Sequence, residues 1–220
     1  MESYKTHLDK FREYYPEISS KLEKMFGVSM EGVKFRPMTK MGKDLVNKSL
    51  EDSEDLKDKK IKNILKIILG FKLYKHKKKE CAVVFDSLPK NIYVNTYFPK
   101  ILRSKKEIKY IAAHELGHVM SYLICPDFFK EIKKDEEKKN IGIQVLEGIT
   151  EYLTPKLLKK TEYSYTARIR IFAGNLSPGY NFVKEVCDKK GIEFIEKILN
   201  NPPKDKNELK NPELYLNRIN

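Results

Sequence analysis

Two histidines four residues apart, with a glutamate beside the first, form the part of this chain best suited to chemistry: His114-Glu115-Leu116-Gly117-His118. On a helix, residues four apart lie one turn above each other on the same face, so both imidazoles can grip one metal ion. Two nitrogen ligands at this spacing suit Zn2+, which takes three protein ligands in catalytic sites and keeps a fourth position for water. Glu115 is then placed to take a proton from that water. The flanking Ile111, Ala112, Ala113, Val119 and Met120 are uncharged, as expected of a helix that buries one arc while its histidines face a cleft.

A third ligand must come from elsewhere. The extended pattern H-E-x-x-H-x-x-G-x-x-H is absent, because Ser121 stands where its glycine would be and Ile124 where its last histidine would be. The other histidines, His7 and His76, lie upstream, which favours a downstream carboxylate. Acids between Asp127 and Glu137 alternate with lysines and read as a solvated face or loop. From Val145 to Leu153 the pattern differs. Ile149, Tyr152 and Leu153 keep helical spacing, with Glu147 and Glu151 one turn apart on one face. Both acids then look into one cleft, or both look into solvent, and spacing does not choose between them. Gly148 is costly inside a helix, by roughly 1 kcal/mol relative to alanine, so its place beside Glu147 predicts a close neighbour there.

The elements that must hold these residues follow from periodicity and turn chemistry. From Glu2 to Met25 the pattern predicts two short helices broken at Pro16, and Val33 to Met38 a first strand. Backing helices follow from Lys40 to about Asp52 and from Leu56 to about Lys75. Cys81 to Phe85 and Asn91 to Phe98 are rich in β-formers, and Asp86 to Lys90 between them suits a hairpin loop. Ser104 followed by Glu107 is a capping box that starts the motif helix, which Pro126 ends. Further helices are expected near Ser164 to Leu176, Tyr180 to Lys189 and Ile192 to Asn200, followed by a polar tail.

The fold class is therefore α+β: a small mixed sheet with a hairpin packed on the motif helix and the glutamate helix, and extra helices at both ends. One domain over 1–220 is expected. It divides into an N-terminal strand with backing helices (1–80), a motif core (81–153) and a C-terminal helical part (154–220). Neither a repeat nor a low-complexity linker interrupts it.

Composition narrows the function classes. Of 220 residues 40% are hydrophobic, enough for a buried core, and the formal charge is +13. Lysines are mixed with acids along the chain, and only Lys75-His76-Lys77-Lys78-Lys79 is dense. A solvated lysine-rich surface accounts for this better than a nucleic-acid interface, so nucleic acid is not an expected partner. Cys81, Cys125 and Cys187 are odd in number and far apart, which leaves no disulfide framework or Cys-x-x-Cys knuckle. The first twenty residues lack the apolar run of a secretory signal, and Ile61 to Tyr74 is too short and lysine-broken to span a bilayer. The expected location is cytoplasmic, with no membrane partner.

The two motifs together resemble those of the gluzincins, zincin peptidases whose third zinc ligand is a glutamate on a second helix. The matching residues are His114-Glu-Leu-Gly-His118 and Glu147-Gly-Ile-Thr-Glu-Tyr152, within a resemblance that spans roughly Cys81 to Leu153. The small size is similar to that of the minimal archaeal gluzincins called minigluzincins, which can hold themselves inactive by occluding the cleft. The resemblance implies a zincin-like fold and one catalytic Zn2+ on His114, His118 and Glu147, with Glu115 as general base. It implies that Glu151 stands where the thermolysin-like pattern has an aspartate that orients a zinc-binding histidine, one methylene longer here. It also implies that the strand Asn91 to Phe98 is the edge strand that pairs with extended substrate.

The expected function is zinc-dependent hydrolysis of peptide bonds, with a peptide or an unfolded protein as substrate. The metal would acidify its water and polarise the scissile carbonyl, while Glu115 accepts the proton and passes it to the leaving amine. Tyr165, Tyr163 and Tyr180 are candidate donors to the oxyanion, Tyr165 first. Two rivals come from other classes: a catalytically silent or latent zincin-fold interaction protein, and a basic nucleic-acid-binding protein with a structural metal.

Overall fold

A computed structural model of the chain describes residues 7–41, 44–45, 47–48, 82–85, 88–95, 104–128, 135–164, 169 and 177–219. In chain order the elements are α1 (His7–Phe26), β1 (Lys34–Pro37), a 3-10 turn (Met38–Lys40), β2 (Ala82–Phe85), β3 (Leu88–Val94), α2 (Lys105–Ile124) and α3 (Glu136–Leu157). A second 3-10 turn (Lys160–Glu162) follows, then α4 (Pro178–Lys190), α5 (Phe194–Asn200), α6 (Lys206–Lys210) and α7 (Pro212–Ile219). The architecture is mixed α+β, as its alternation of helical and strand periodicities predicts. The expected helix from Leu56 to Lys75, the basic run at 75–79 and Cys81 lie outside the described residues.

The three strands form one sheet in the order β1-β3-β2, with β1 parallel and β2 antiparallel to β3. This corrects the expectation that the strand beginning at Asn91 is an edge. Lys34 to Pro37 pairs along one side of β3 and Ala82 to Phe85 along the other, so β3 has no free backbone edge over its paired residues. The strand also begins earlier than expected, at Leu88 within the anticipated loop, and Pro89 sits in it. Among the described residues β1 and β2 are the outer strands, and β2 is the one packed against α2. Ile92 and Val94 enter the main core, whereas Tyr93 joins Met38 and Met41 on the opposite face. There the Tyr93 hydroxyl donates to Asp44, which also pairs with Arg36.

At the N-terminus, one helix replaces the two expected. Pro16 lies inside α1, which runs unbroken from His7 to Phe26 and ends before Gly27 in the left-handed region (φ 67°). A proline removes one ladder hydrogen bond and tends to kink the helix; here burial of Phe11, Ile18 and Leu22 on both sides of it holds the helix together. Helical residues occur between Met41 and Lys48, in agreement with the helix expected from Lys40. Met41, Ala82, Ile108, Leu116, Val145, Ile149, Val183 and Ile198 are among the buried residues that join sheet and helices.

The expected polar tail also folds. Asp205 caps α6 by accepting from the N–H groups of Asn207 and Glu208, and α7 buries Tyr215 and Leu216. Leu209, Tyr215 and Leu216 fall on apolar faces hidden among polar neighbours, and a buried pair between Glu208 and Arg218 (2.7 Å) locks the two short helices. Among the described residues, no helix is long and apolar enough to cross a membrane. Exposed lysines pair with acids, as in Lys139–Glu136, Lys184–Asp188 and Lys189–Glu185, so part of the +13 charge is locally balanced.

Candidate metal centre

The motif helix α2 begins at the cap residue expected of it, with the serine half of the capping box in place. Ser104 is extended and its side chain accepts from the Glu107 N–H at 3.1 Å, which satisfies one of the helix's unpaired donors. Glu107 is itself buried and accepts from Ser164, tying the segment after the second 3-10 turn to the start of α2. Lys109 adds a second tie, bonding Glu17 of α1 at 2.6 Å and Glu162. The helix ends at Ile124, just before Pro126.

The glutamate helix α3 starts at a cap that sequence reasoning left unassigned. Asp135 accepts from the Lys138 N–H at 3.0 Å, and Glu136 and Glu137 occupy the first turn, where the helix dipole favours acids. The Asp-Glu-Glu cluster before an apolar run was the available signal. Two glycines then set the spacing of the helices. A Cβ on Gly117 would lie 3.1 Å from Cγ2 of Thr150, so α2 and α3 cross closely between His118 and Glu147. A Cβ on Gly148 would fall 2.2 Å from the carbonyl carbon of Gly179, so α4 touches the other side of α3 backbone to backbone. The close neighbour expected at Gly148 is therefore α4.

This packing brings three of the expected residues together. Nε2 of His114 lies 3.4 Å from Oε2 of Glu147, and Nε2 of His118 lies 3.5 Å from Oε1. One ligand atom from each of the three residues falls within 4.8 Å of the other two. The imidazole rings are nearly perpendicular, with centroids 4.9 Å apart and planes at 84°. Donors about 2.0–2.1 Å from a tetrahedral ion stand about 3.4 Å from one another; the two nitrogen-to-oxygen separations have this length, each to a different oxygen of Glu147, so one carboxylate reaches both imidazoles. Two imidazoles and a carboxylate are also a donor set that zinc accepts. The residues present fit a divalent ion. Glu147 keeps 48% of its side chain exposed, against 22% and 12% for His114 and His118, so the carboxylate side of the cluster faces water.

The electrostatics suit cation binding. Burial drives the His118 imidazole down, to about 4, and the neighbouring His114 adds to the effect, so His118 is neutral with a free lone pair at ordinary pH. Burial also pulls on His114, but hydrogen bonding to Glu147 and the charges of Glu115, Glu147 and Glu151 outweigh it and raise its pKa. These carboxylates favour positive charge beside His114. Glu115 is buried within α2 beside these groups.

Glu151 takes a different position. Its Oε2 accepts from the Ser177 hydroxyl at 2.8 Å, and it stands outside the three-donor cluster. Burial raises its pKa, with Glu147 adding to the rise and Ser177 opposing it. The two glutamates that spacing left equivalent are thus distinguished by their neighbours.

Of the candidate oxyanion donors, Tyr163 is turned away, because its hydroxyl donates to the backbone carbonyl of Pro155 at 3.0 Å. Tyr180 lies near enough to Glu151 to feel its charge, and burial raises its pKa. Tyr165 lies outside the described residues, as does most of the helix expected at 164–176. Cys125 and Cys187 are free, and burial pushes the Cys187 thiol up to about 12, which makes it inert.

No family model, no curated protein and no solved structure matches this chain, so the reading of the site rests on these residues and their spacing.

Proposed function

We propose that the chain is a zinc-dependent hydrolase of peptide bonds, with His114, His118 and Glu147 holding the ion and Glu115 acting as general base. The observation that carries this reading is the pair of imidazole nitrogens 3.4 and 3.5 Å from the two oxygens of one carboxylate, on a helix that also bears Glu115. A bound divalent cation supplies Lewis acidity and acidifies water at such a site. Glu115, buried beside His114, would accept a proton from that water and return it to the leaving amine. His118, whose pKa burial lowers to about 4, offers its lone pair without first losing a proton, and the carboxylates around His114 favour positive charge at that position. Among the described residues β2 is the outer strand packed on α2, and it supports an extended substrate in this reading.

A silent interaction protein that keeps the same shape is the second reading. Glu115 argues against it, because a purely structural site gains nothing from a buried acid beside its first ligand. The test is metal analysis together with hydrolysis of an unfolded protein by the wild type, Glu115→Ala and Glu147→Ala. Glu115→Ala is expected to keep about one zinc per chain and lose turnover, and Glu147→Ala to bind metal at least ~10-fold more weakly. Zinc bound equally well by Glu147→Ala would sink the ligand set; full turnover by Glu115→Ala would sink the base.

A further inference from the structure

Of the side chains on α2 and α3 that can ligate a metal, three converge. His114 and His118 on α2 meet Glu147 on α3, while Glu151, one helical turn further along the same face of α3, stays outside the cluster. Its carboxylate is engaged by Ser177 at 2.8 Å. The Ser177 oxygen has two tasks, because it also accepts from the Tyr180 N–H at 3.1 Å as the N-cap of α4. Its position relative to α3 is set by backbone contact. A Cβ on Gly179 would lie 1.8 Å from the carbonyl oxygen of Gln144, which leaves no side-chain layer between the two helices to absorb a shift. The hydroxyl is thus held at a fixed place beside Glu151.

We propose that Ser177 is a positioning residue of the metal centre, holding the Glu151 carboxylate off the three-donor cluster and so keeping the ion's fourth position open to a ligand from solvent. The inference rests on the metal-site reading above. Structural zinc sites are closed by four protein ligands, whereas catalytic ones keep one position free. Glu151 is the described carboxylate one turn from Glu147 on the same face of α3, about 6 Å along the helix and within reach of a glutamate side chain, so its release would supply a fourth donor. The hydrogen bond from Ser177 is what separates the two outcomes.

The test uses the Co2+-loaded full chain, with acetohydroxamate as the solvent-side ligand, followed by visible absorption, and with Co2+ affinity measured by competition with a chromophoric chelator. Four Ser177 side chains separate capping from donation. Threonine keeps both, alanine loses both, and aspartate caps a helix as well as serine but cannot donate to Glu151 and repels it. Wild type and Ser177→Thr are expected to bind acetohydroxamate alike. Ser177→Ala and Ser177→Asp are expected to bind it about 10-fold more weakly while holding Co2+ more tightly. Adding Glu151→Ala to Ser177→Asp is expected to restore acetohydroxamate binding. Unchanged constants in both variants, or a change in Ser177→Ala alone, would overturn the proposal, the latter by assigning the effect to the helix cap. A wild type that takes up no Co2+ would overturn the metal reading itself, and the two failures are therefore distinguishable.

Discussion

Gly148 meets Gly179 backbone to backbone, one residue from the carboxylate that joins the two imidazoles, with space for no side chain between them. Gly148→Ala improves helix propensity by roughly 1 kcal/mol, but a Cβ placed 2.2 Å from a backbone carbon can be relieved only by moving a helix. Overpacking of this kind costs about 3 kcal/mol, so net destabilisation of about 2 kcal/mol is expected in urea unfolding, with weakened metal binding. Gly117→Ala is the milder case, since its nearest neighbour is the methyl of Thr150 at 3.1 Å. A Gly148→Ala variant as stable as the wild type would show that α3 and α4 do not touch here.

Metal removal should be visible in thermal stability. An ion that joins α2 to α3 binds only the folded chain. At a free concentration of about 100 times its dissociation constant it adds about 2.7 kcal/mol. For a chain of this length that corresponds to roughly 5–10 °C in Tm. Added Zn2+ is expected to raise the melting temperature of chelator-treated wild type, and to raise that of His114→Ala and Glu147→Ala by about half as much or less, because a site at least ~10-fold weaker gains at most about 1.4 kcal/mol at the same concentration. An identical shift in all three proteins would place the ion elsewhere.

Lys109 ties α2 to two other segments: α1, through Glu17 and the ring of Tyr14 at 5.7 Å, and the turn after α3, through Glu162. Its side chain is only 12% exposed, whereas Glu17 is 45% exposed and also pairs with Lys21. The Glu162 arm therefore contributes more than the water-screened Glu17 arm. Lys109→Met is expected to cost about 1–2 kcal/mol, less at high salt, by denaturant unfolding. A loss that ignores salt would mean that packing, not charge, holds the junction.

The pair Glu208 and Arg218 gives the C-terminal helices a pH dependence of definite sign. Burial alone would raise the Glu208 pKa, but Arg218 and the Lys204 N–H outweigh it and hold the carboxyl below its ordinary 4.5. A carboxyl depressed in the folded state stabilises fully above its unfolded value and stops doing so as pH falls through its folded value. Arg218→Met leaves this carboxylate, 4% exposed, with the Lys204 N–H and ammonium among its remaining partners, at a cost of about 2 kcal/mol near neutral pH. The gap between wild type and variant is expected to narrow as pH drops below 4.5. Unfolding curves at neutral and acid pH check this, and a gap that widens in acid would contradict it.

How far the fold was legible depends on how local its determinants are. The cap at Ser104, the end of α2 before Pro126 and the helical face of His114 and His118 are decided within a turn or two of chain, and all occur as read. The reading failed where distant partners decide. Pro16 does not break α1, because core contacts along Phe11, Ile18 and Leu22 hold the helix through it. The strand at Asn91 is central because Lys34 to Pro37, more than fifty residues away in sequence, pairs with it. The C-terminal tail reads as polar residue by residue, yet buries Leu209, Tyr215 and Leu216 once Glu208 and Arg218 meet.

By itself the order of residues determined which side chains can do chemistry: a histidine pair with a glutamate beside it, and two acids one turn apart on a later helix. Only tertiary packing decided that Glu147 stands between the imidazoles while Glu151 is held by Ser177. The reason is physical. Helical periodicity puts residues on a face, but which face meets which neighbour, and at what distance, is set by helix crossings at Gly117 and Gly148, where the missing side chains allow the backbones to approach.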